Sequence, residues 1–466
     1  MISVPKGVPK TWWLRASALV LIWPALPGQA ADTNADLIRA WAAGYRAAFT
    51  CSSLWNGAGK PLAAIERDEL TNIYPETEAD VRSLTAEVDE QARRVTVPYR
   101  PDMPPRIAQW SAREGCVTLP IGAEPVAVDA GQGAARAKRD AEPWPLGDKN
   151  ALAPSLRSDA PFETVVRDPA RFGGRTSSLL VVKRGRIVAE RYFFGHDRHT
   201  AQRTFSVAKS MAATLIGHAV ERGYVDVKAP AAIADWQSPG DPRAAITTEQ
   251  LMRMASGLTS DSAGNRTDAI YMGGASVRQW TVQWPLLHPP GTRYRYANND
   301  TLLATLSLKA AVEKAGEPLD PAAFFDRIGM TRTFVERDKD GDYILSSQVW
   351  TTARDLARLG LLYQDDGMWG KERLLPAGWR NFISTPSGPQ PEGPFGYGAG
   401  FWLFDKSEGI PADAFGAFGN RGQYLVVVPS RDLVIVRQGY DDRVERLDIA
   451  ELVRAIVSAD RAGTGD

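Results

Sequence analysis

Two residues with complementary chemistry stand three apart in Thr204-Phe205-Ser206-Val207-Ala208-Lys209-Ser210-Met211. A serine hydroxyl is a poor nucleophile at neutral pH and needs a base within hydrogen-bond reach. Residues three apart share a helix face, so Lys209 can point back at Ser206. Lysine serves as a base only where burial or neighbouring positive charge destabilises its ammonium. At the start of a helix, backbone N–H groups also favour negative charge developing on the serine. The spacing alone is cheap: Ser3 and Lys6 repeat it in the first ten residues. An N-cap serine followed by a solvated lysine is the plainer reading.

Two further stretches bear on the choice. Tyr296-Ala297-Asn298 is the one Tyr-x-Asn among 13 tyrosines, and it follows Pro289-Pro290-Gly291, a loop signal. A phenol beside Ser206 and Lys209 could relay a proton to a leaving group. The Asn298 amide could bond both Lys209 and a substrate carbonyl. Ala417-Phe418-Gly419-Asn420-Arg421-Gly422-Gln423 enters a strand-like stretch near the C-terminus, and its glycines allow close backbone approach. The N–H groups of Asn420 and Ser206 could together form an oxyanion hole. A plain glycine-rich hairpin is the alternative there. A Ser-His-Asp layout fits less well. The four histidines are His196, His199, His218 and His288; His218 falls on the helix after Lys209, where packing is the simpler role, and there is no Gly-x-Ser-x-Gly elbow. Phosphate loops, dinucleotide fingerprints and zinc-protease motifs are absent, so no cofactor and no metal are expected.

The elements that would carry these residues can be read in outline. Ser178–Lys183 and Ile187–Phe194 pattern as a hairpin around Arg184-Gly185. A helix is expected from about Ser206 to Arg222, stopped by Gly223, and another from near Asp300 to Lys314. Thr248–Ala255, Phe324–Met330, Thr352–Tyr363 and Pro376–Ile383 add helical pieces. Strands return at Tyr397–Leu403, Gln423–Val428 and Leu433–Gln438, and an amphipathic helix is expected over residues 444–459. Strands early and late with helices between imply a sheet built from both ends of the domain around a helical insert.

The chain of 466 residues carries 55 Lys+Arg and 55 Asp+Glu, with no basic run to bind nucleic acid. Lys6, Lys10 and Arg15, then apolar Ala16–Leu26 and Gly28-Gln29-Ala30, read as an export signal over residues 1–30; an uncleaved anchor is the alternative. The apolar run falls short of the about 20 residues a membrane span requires, so no stable span is expected after cleavage. Cys51 and Cys116, an even count in an exported chain, suit one disulfide; two buried thiols are the alternative. They bracket an N-terminal extension over 31–120, helical to about residue 50 and then strand-like. Residues 121–160 carry few large apolar side chains in Gly131–Asp140 and read as an exposed linker.

Ser206-Val207-Ala208-Lys209, Tyr296-Ala297-Asn298 and the Gly419 strand, in that order, resemble the serine β-lactamase and penicillin-binding protein superfamily. The wider similarity is to its class C-like branch of esterases, D-aminopeptidases and 6-aminohexanoate-dimer hydrolases. It is carried also by Leu180–Val188, Leu251–Leu258, Pro290-Gly291-Thr292, Ile328-Gly329-Met330 and Thr352–Gly360. The resemblance implies an α/β fold, an antiparallel sheet flanked by helices with an inserted all-helical domain. This would occupy residues 161–466, the insert roughly 211–395. It implies acylation of Ser206, proton transfer by Lys209 and Tyr296, substrate binding by Asn298 and Gly419, and an oxyanion held by Ser206 and Asn420. The family's third motif usually opens with a lysine that holds a substrate carboxylate; the matching residue here is Ala417. That favours an exported hydrolase of small esters or amides over a β-lactamase or D,D-peptidase. A catalytically silent binding or regulatory protein on the same fold is the competing class. No nucleic-acid partner is expected.

Overall fold

The structure, a computed structural model, describes residues 27–125, 133–152, 161–259 and 267–464. The export-signal reading falls mostly on residues 1–26, outside the described residues. Residues Ile38–Asp466 form one compact unit.

The central sheet has seven antiparallel strands. Their spatial order is Gly396–Tyr397, Trp402–Leu403, Phe415–Gly419, Gln423–Val428, Leu433–Gly439, Thr176–Lys183 and Arg186–Tyr192. The first strands of the domain thus pair beside its last, as expected. Helices cover both faces, which is why the inner strands read as continuous apolar runs and not as alternation. Leu179, Val181, Val426 and Ile435 pack with Leu452 and Ile456 of the terminal helix Ile449–Thr464. Leu180, Val182, Leu425 and Val434 face the opposite core, with Leu356 and Leu359 of Ala353–Gln364. That helix lies close: a Cβ on Gly360 would stand 2.3 Å from Val434 Cγ1. Arg184 and Gly185, at φ +48° and +75°, make the two-residue turn between the paired Lys183 and Arg186.

Between the strand groups run the helices Val207–Glu221 and Asn298–Lys314, with shorter ones beside them. This insert also carries short strands, among them Val349–Thr351, which pairs on one edge with Gln202–Arg203 just before Ser206 and on the other with Phe334–Val335. Two expectations shift. Tyr397–Leu403 is a tight hairpin and not one strand, turning at Gly400 (φ +81°), where a Cβ would press on Ala213 Cβ at 2.9 Å. The terminal helix begins at Ile449, because Asp442 Oδ1 accepts from Val444 and Glu445 N–H and holds a loop there, with Val444 fully outside.

The N-terminal extension joins the helix Pro27–Trp55 to a four-stranded meander, Glu87–Asp89, Arg94–Val97, Arg106–Ser111 and Gly115–Thr118. Cys51 is bonded to Cys116 across it. Within 121–160 the described part is structured: Gly133–Asp140 is helical. It is held by polar anchors, which a search for apolar side chains passes over. Arg136 Nη2 donates to Ala112 O at 3.0 Å, and Arg332 pairs with Asp140 at 2.6 Å. Trp144 is nevertheless buried, its Nε1 donating to Gly185 O at 2.8 Å. No helix of the described residues is long and apolar enough to cross a membrane.

Candidate active site

Ser206 sits where the short strand Gln202–Arg203 turns into the helix Val207–Glu221. The turn is made by Phe205 at φ +49°, a left-handed conformation that costs a non-glycine residue about 1 kcal/mol or more. Its neighbours hold it there. Thr204 N donates to Val349 O at 2.8 Å, and the Arg203 guanidinium lies 4.2 Å over the Phe205 ring. Ser206 occupies the N-cap position, but its hydroxyl makes no capping bond. The plainer N-cap reading therefore fails. The Ser206 side chain instead meets Lys209 and Tyr296.

Lys209 is 2% exposed, and its Nζ has three oxygen partners. It stands 3.0 Å from Ser206 Oγ, 2.6 Å from Asn298 Oδ1 and 2.8 Å from Ser346 O. All three are neutral. Burial without a counter-charge brings its pKa down to about 7. The neutral partners continue as a ring. Asn298 Nδ2 donates to Thr267 Oγ1 at 3.4 Å, Thr267 bonds Tyr271, and Tyr271 OH lies 2.5 Å from Ser346 Oγ. Lys209 Nζ also stands 5.0 Å from the Tyr296 ring centroid.

Tyr296 precedes the helix Asn298–Lys314 on a loop pinned to Met254. Arg295 N donates to Met254 O at 2.8 Å, and Ala297 N to Met254 Sδ at 3.4 Å. Burial pushes the Tyr296 phenol well above its ordinary pKa, although bonds to Ser206 and Trp402 oppose the shift. It stays protonated across the physiological range.

The end of the strand Phe415–Gly419 abuts the turn that carries Ser206. A Cβ on Gly419 would stand 2.2 Å from Thr204 O and 3.3 Å from Ser206 N, so only glycine fits. Asn420 follows it in the turn back to Gln423 and lines the same cleft as Ser206. Its own Oδ1 accepts from Arg421 N at 2.9 Å. Ala417 is fully buried, and its neighbour Phe418 faces the cleft, stacked on Trp402 with ring centroids 5.8 Å apart. The cleft, about 340 Å³, is therefore aromatic where a motif lysine would reach, with Tyr296, Trp402, Phe418 and Tyr424 around it. No histidine lines it; His218 is packed, its Nδ1 2.9 Å from Leu374 O.

The structure thus brings Ser206, Lys209, Tyr296, Asn298, Gly419 and Asn420 together. Cys51 and Cys116 are bonded to each other and do not line that cleft. Sequence reading missed the Ser346 carbonyl, Tyr271 and Thr267, which stand in no motif, and Tyr74 of the extension, which lines the cleft. A half-buried trio of Asp140, Asp148 and His199 has metal-ligand spacing, but arginines already occupy both carboxylates, Arg332 on Asp140 and Arg358 on Asp148.

The β-lactamase family model matches residues 164–446. Among solved structures, a protein named as a 6-aminohexanoate-dimer hydrolase from Bacillus anthracis superposes with a TM-score of 0.53 at 20% identity, over 68% of this chain and 86% of its own. A penicillin-binding protein homologue from Caulobacter crescentus gives 0.53 at 18%, over 66% and 98%. A family VIII carboxylesterase gives 0.52 at 16%, over 66% and 98%. At these identities the likeness is one of fold. No curated protein matches this chain.

Proposed function

This chain belongs to the β-lactamase family, and from that premise we propose that it is a serine hydrolase of small esters or amides, working through an acyl-enzyme on Ser206. The observation that carries the reading is Lys209, buried among neutral acceptors and 3.0 Å from Ser206 Oγ. A lysine in that setting is deprotonated in useful amount near neutrality, and few structural roles call for one.

Neutral Lys209 takes the hydroxyl proton as Ser206 Oγ attacks the substrate carbonyl carbon. The N–H groups of Ser206 and Asn420 hold the oxyanion. Tyr296 gives its phenol proton to the departing alcohol or amine and regains one from the Lys209 ammonium. A water then attacks the acyl carbon by the reverse relay and restores Ser206. The buried Ala417 supplies no cation, which favours esters and small amides, including ω-amino acid oligomers, over β-lactams and D,D-peptides. We read residues 1–30 as the segment that exports this enzyme.

A fluorophosphonate probe on the purified protein tests the assignment. Stoichiometric labelling that disappears in Ser206→Ala supports it. Labelling that persists in Ser206→Ala sinks it, and no labelling at all favours a silent binding protein on this fold. N-terminal sequencing of the secreted protein checks export; an intact Met1 refutes cleavage after Ala30.

A further inference from the structure

A second cavity, about 400 Å³, adjoins the Ser206 cleft and shares four of its wall residues, Tyr74, Arg203, Phe205 and Asn420. One side of it comes from the N-terminal extension, through Tyr45, Asn72, Ile73 and Tyr74, outside the stretch matched by the family model. The other side carries Arg421, Arg443 and Arg446. With Arg203, four arginines line this space.

None of the four forms an ion pair among the described residues. Arg203 Nη2 donates to Ser347 Oγ at 2.9 Å, and Arg421 Nη1 to Asp68 O at 2.6 Å. Arg443 Nη2 donates to Ile73 O at 3.1 Å, and Arg446 Nε to Asp442 O at 3.3 Å. Every acceptor is a hydroxyl or a carbonyl. Of the two carboxylates in the wall, Asp441 pairs with Arg437 at 2.6 Å, and Asp442, whose Oδ1 holds the N–H groups of Val444 and Glu445, acts on Arg421 and Arg446 without pairing with either.

Burial makes this arrangement informative. Arg203 is 3% exposed and Arg421 7%, and Arg203 Nε has no hydrogen-bond partner at all. A buried guanidinium without an anion is costly, and a buried donor left unmade adds to that cost. Contacts with the Phe49 and Phe205 rings stabilise Arg203 but bring no opposite charge. Glu336 and Glu69 act on Arg203 and Arg421 from a distance without pairing with them, so a carboxylate entering from the cleft would supply the missing ion pair, and the guanidinium fork suits it.

We propose that the N-terminal extension completes the substrate cleft and that this arginine pocket binds a carboxylate carried by the substrate. The inference rests on the hydrolase reading and narrows it: the substrate is an ester or amide with an acid group on one side of the scissile bond. Recognition of that acid has moved from the strand position held by Ala417 to the arginines and the wall that Tyr74 builds.

Two matched pairs of esters test this. One pair is 4-nitrophenyl hydrogen glutarate and its methyl ester, with the charge on the acyl side. The other is 4-butyryloxybenzoate and its methyl ester, with the charge on the leaving side. In one pair the acid should exceed its neutral partner in kcat/KM by about tenfold. High salt should erode that ratio. In the exposed double substitution Arg443→Gln/Arg446→Gln it should fall toward one, with the loss carried by KM. Equal turnover of acid and neutral partner in both pairs overturns the pocket and leaves the hydrolase standing, as does an acid preference untouched by the double substitution. No turnover of any ester, together with no fluorophosphonate labelling, overturns the hydrolase reading beneath it.

Discussion

Lys209 Nζ lies 2.6 Å from Asn298 Oδ1, an amide oxygen in the first turn of another helix. The bond fixes the amine beside Ser206 without lending it a negative charge. An aspartate in that place would hold the lysine protonated and end its use as a base. The amide holds the lysine in place and leaves its proton loose, as the proposed role of base requires.

Activity should follow that proton. With the Lys209 pKa near about 7, kcat/KM for an ester is expected to rise about tenfold per pH unit below neutrality and to level off above it. Asn298→Asp should move the midpoint upward by about one unit or more as the new charge favours the ammonium. A flat profile from pH 5.5 to 9 in the wild type would remove Lys209 from the role of base.

The same group makes stability depend on pH. The folded pKa is depressed to about 7 from the ordinary lysine value of 10.5, so between those values the unfolded chain binds the proton that the folded chain does not. Stability therefore rises with pH across that window. Burying the ammonium penalises the fold most below about pH 7. Lys209→Met cannot titrate, so the difference in Tm between wild type and variant should move in favour of wild type from pH 6.5 to 9. Calorimetry at several pH values reads this directly, and a constant difference contradicts the burial argument.

Tyr296 carries a different expectation because its phenol holds its proton more tightly than usual. It is placed to donate and not to act as a phenolate base. Tyr296→Phe should lower kcat for an alkyl ester by about 10²-fold or more, since alkoxide is a poor leaving group. A 4-nitrophenyl ester, whose leaving group needs no proton, should lose far less. Equal losses for both esters would show that the phenol serves elsewhere in the cycle.

How much of this could be read from the residues alone depends on where each contact comes from. Ser206, Lys209, Tyr296 and Asn298 were legible because short local spacings encode them. The sheet was legible because Leu179–Val182 and Leu433–Val436 are buried on both faces and read as unbroken apolar runs. The Ser346 carbonyl was not, since a backbone oxygen 137 positions from Lys209 leaves no mark in composition or motif. Tyr74 and the arginine pocket were missed for a related reason. They gain meaning only when the extension folds against a turn some 350 residues onward, as in the bond from Arg421 to Asp68, 353 positions apart. The start of the last helix was misplaced because its 3.6-residue pattern runs back into a loop that Asp442 holds open by side-chain bonds.

Gly419 offers a steric test of the strand that closes the site. Its φ is unexceptional, so the need for glycine is one of space: a Cβ would sit 2.2 Å from the Thr204 carbonyl. Relief requires the strand end or the nucleophile turn to shift, and Asn420 N–H moves with it. Gly419→Ala should lower kcat by about 10²-fold with circular dichroism unchanged, as misplacement by an ångström can do. Wild-type turnover in this variant would show that the strand end does not build the oxyanion site.

The bond from Cys51 to Cys116 spans 65 positions and joins the long first helix to the last strand of the meander. Closing a loop of that size stabilises the fold by about 4 kcal/mol on the chain-entropy account, through the freedom it removes from the unfolded chain. Thiol titration of denatured, unreduced protein should find no free thiol, and two would refute the bond. Cys51→Ala/Cys116→Ala should lower Tm by several degrees. The extension also supplies Tyr74 to the cleft, so the variant should lose activity at temperatures below that of its main unfolding transition, as the lobe loosens first. Activity and global unfolding that fall together would show that the lobe and the sheet unfold as one.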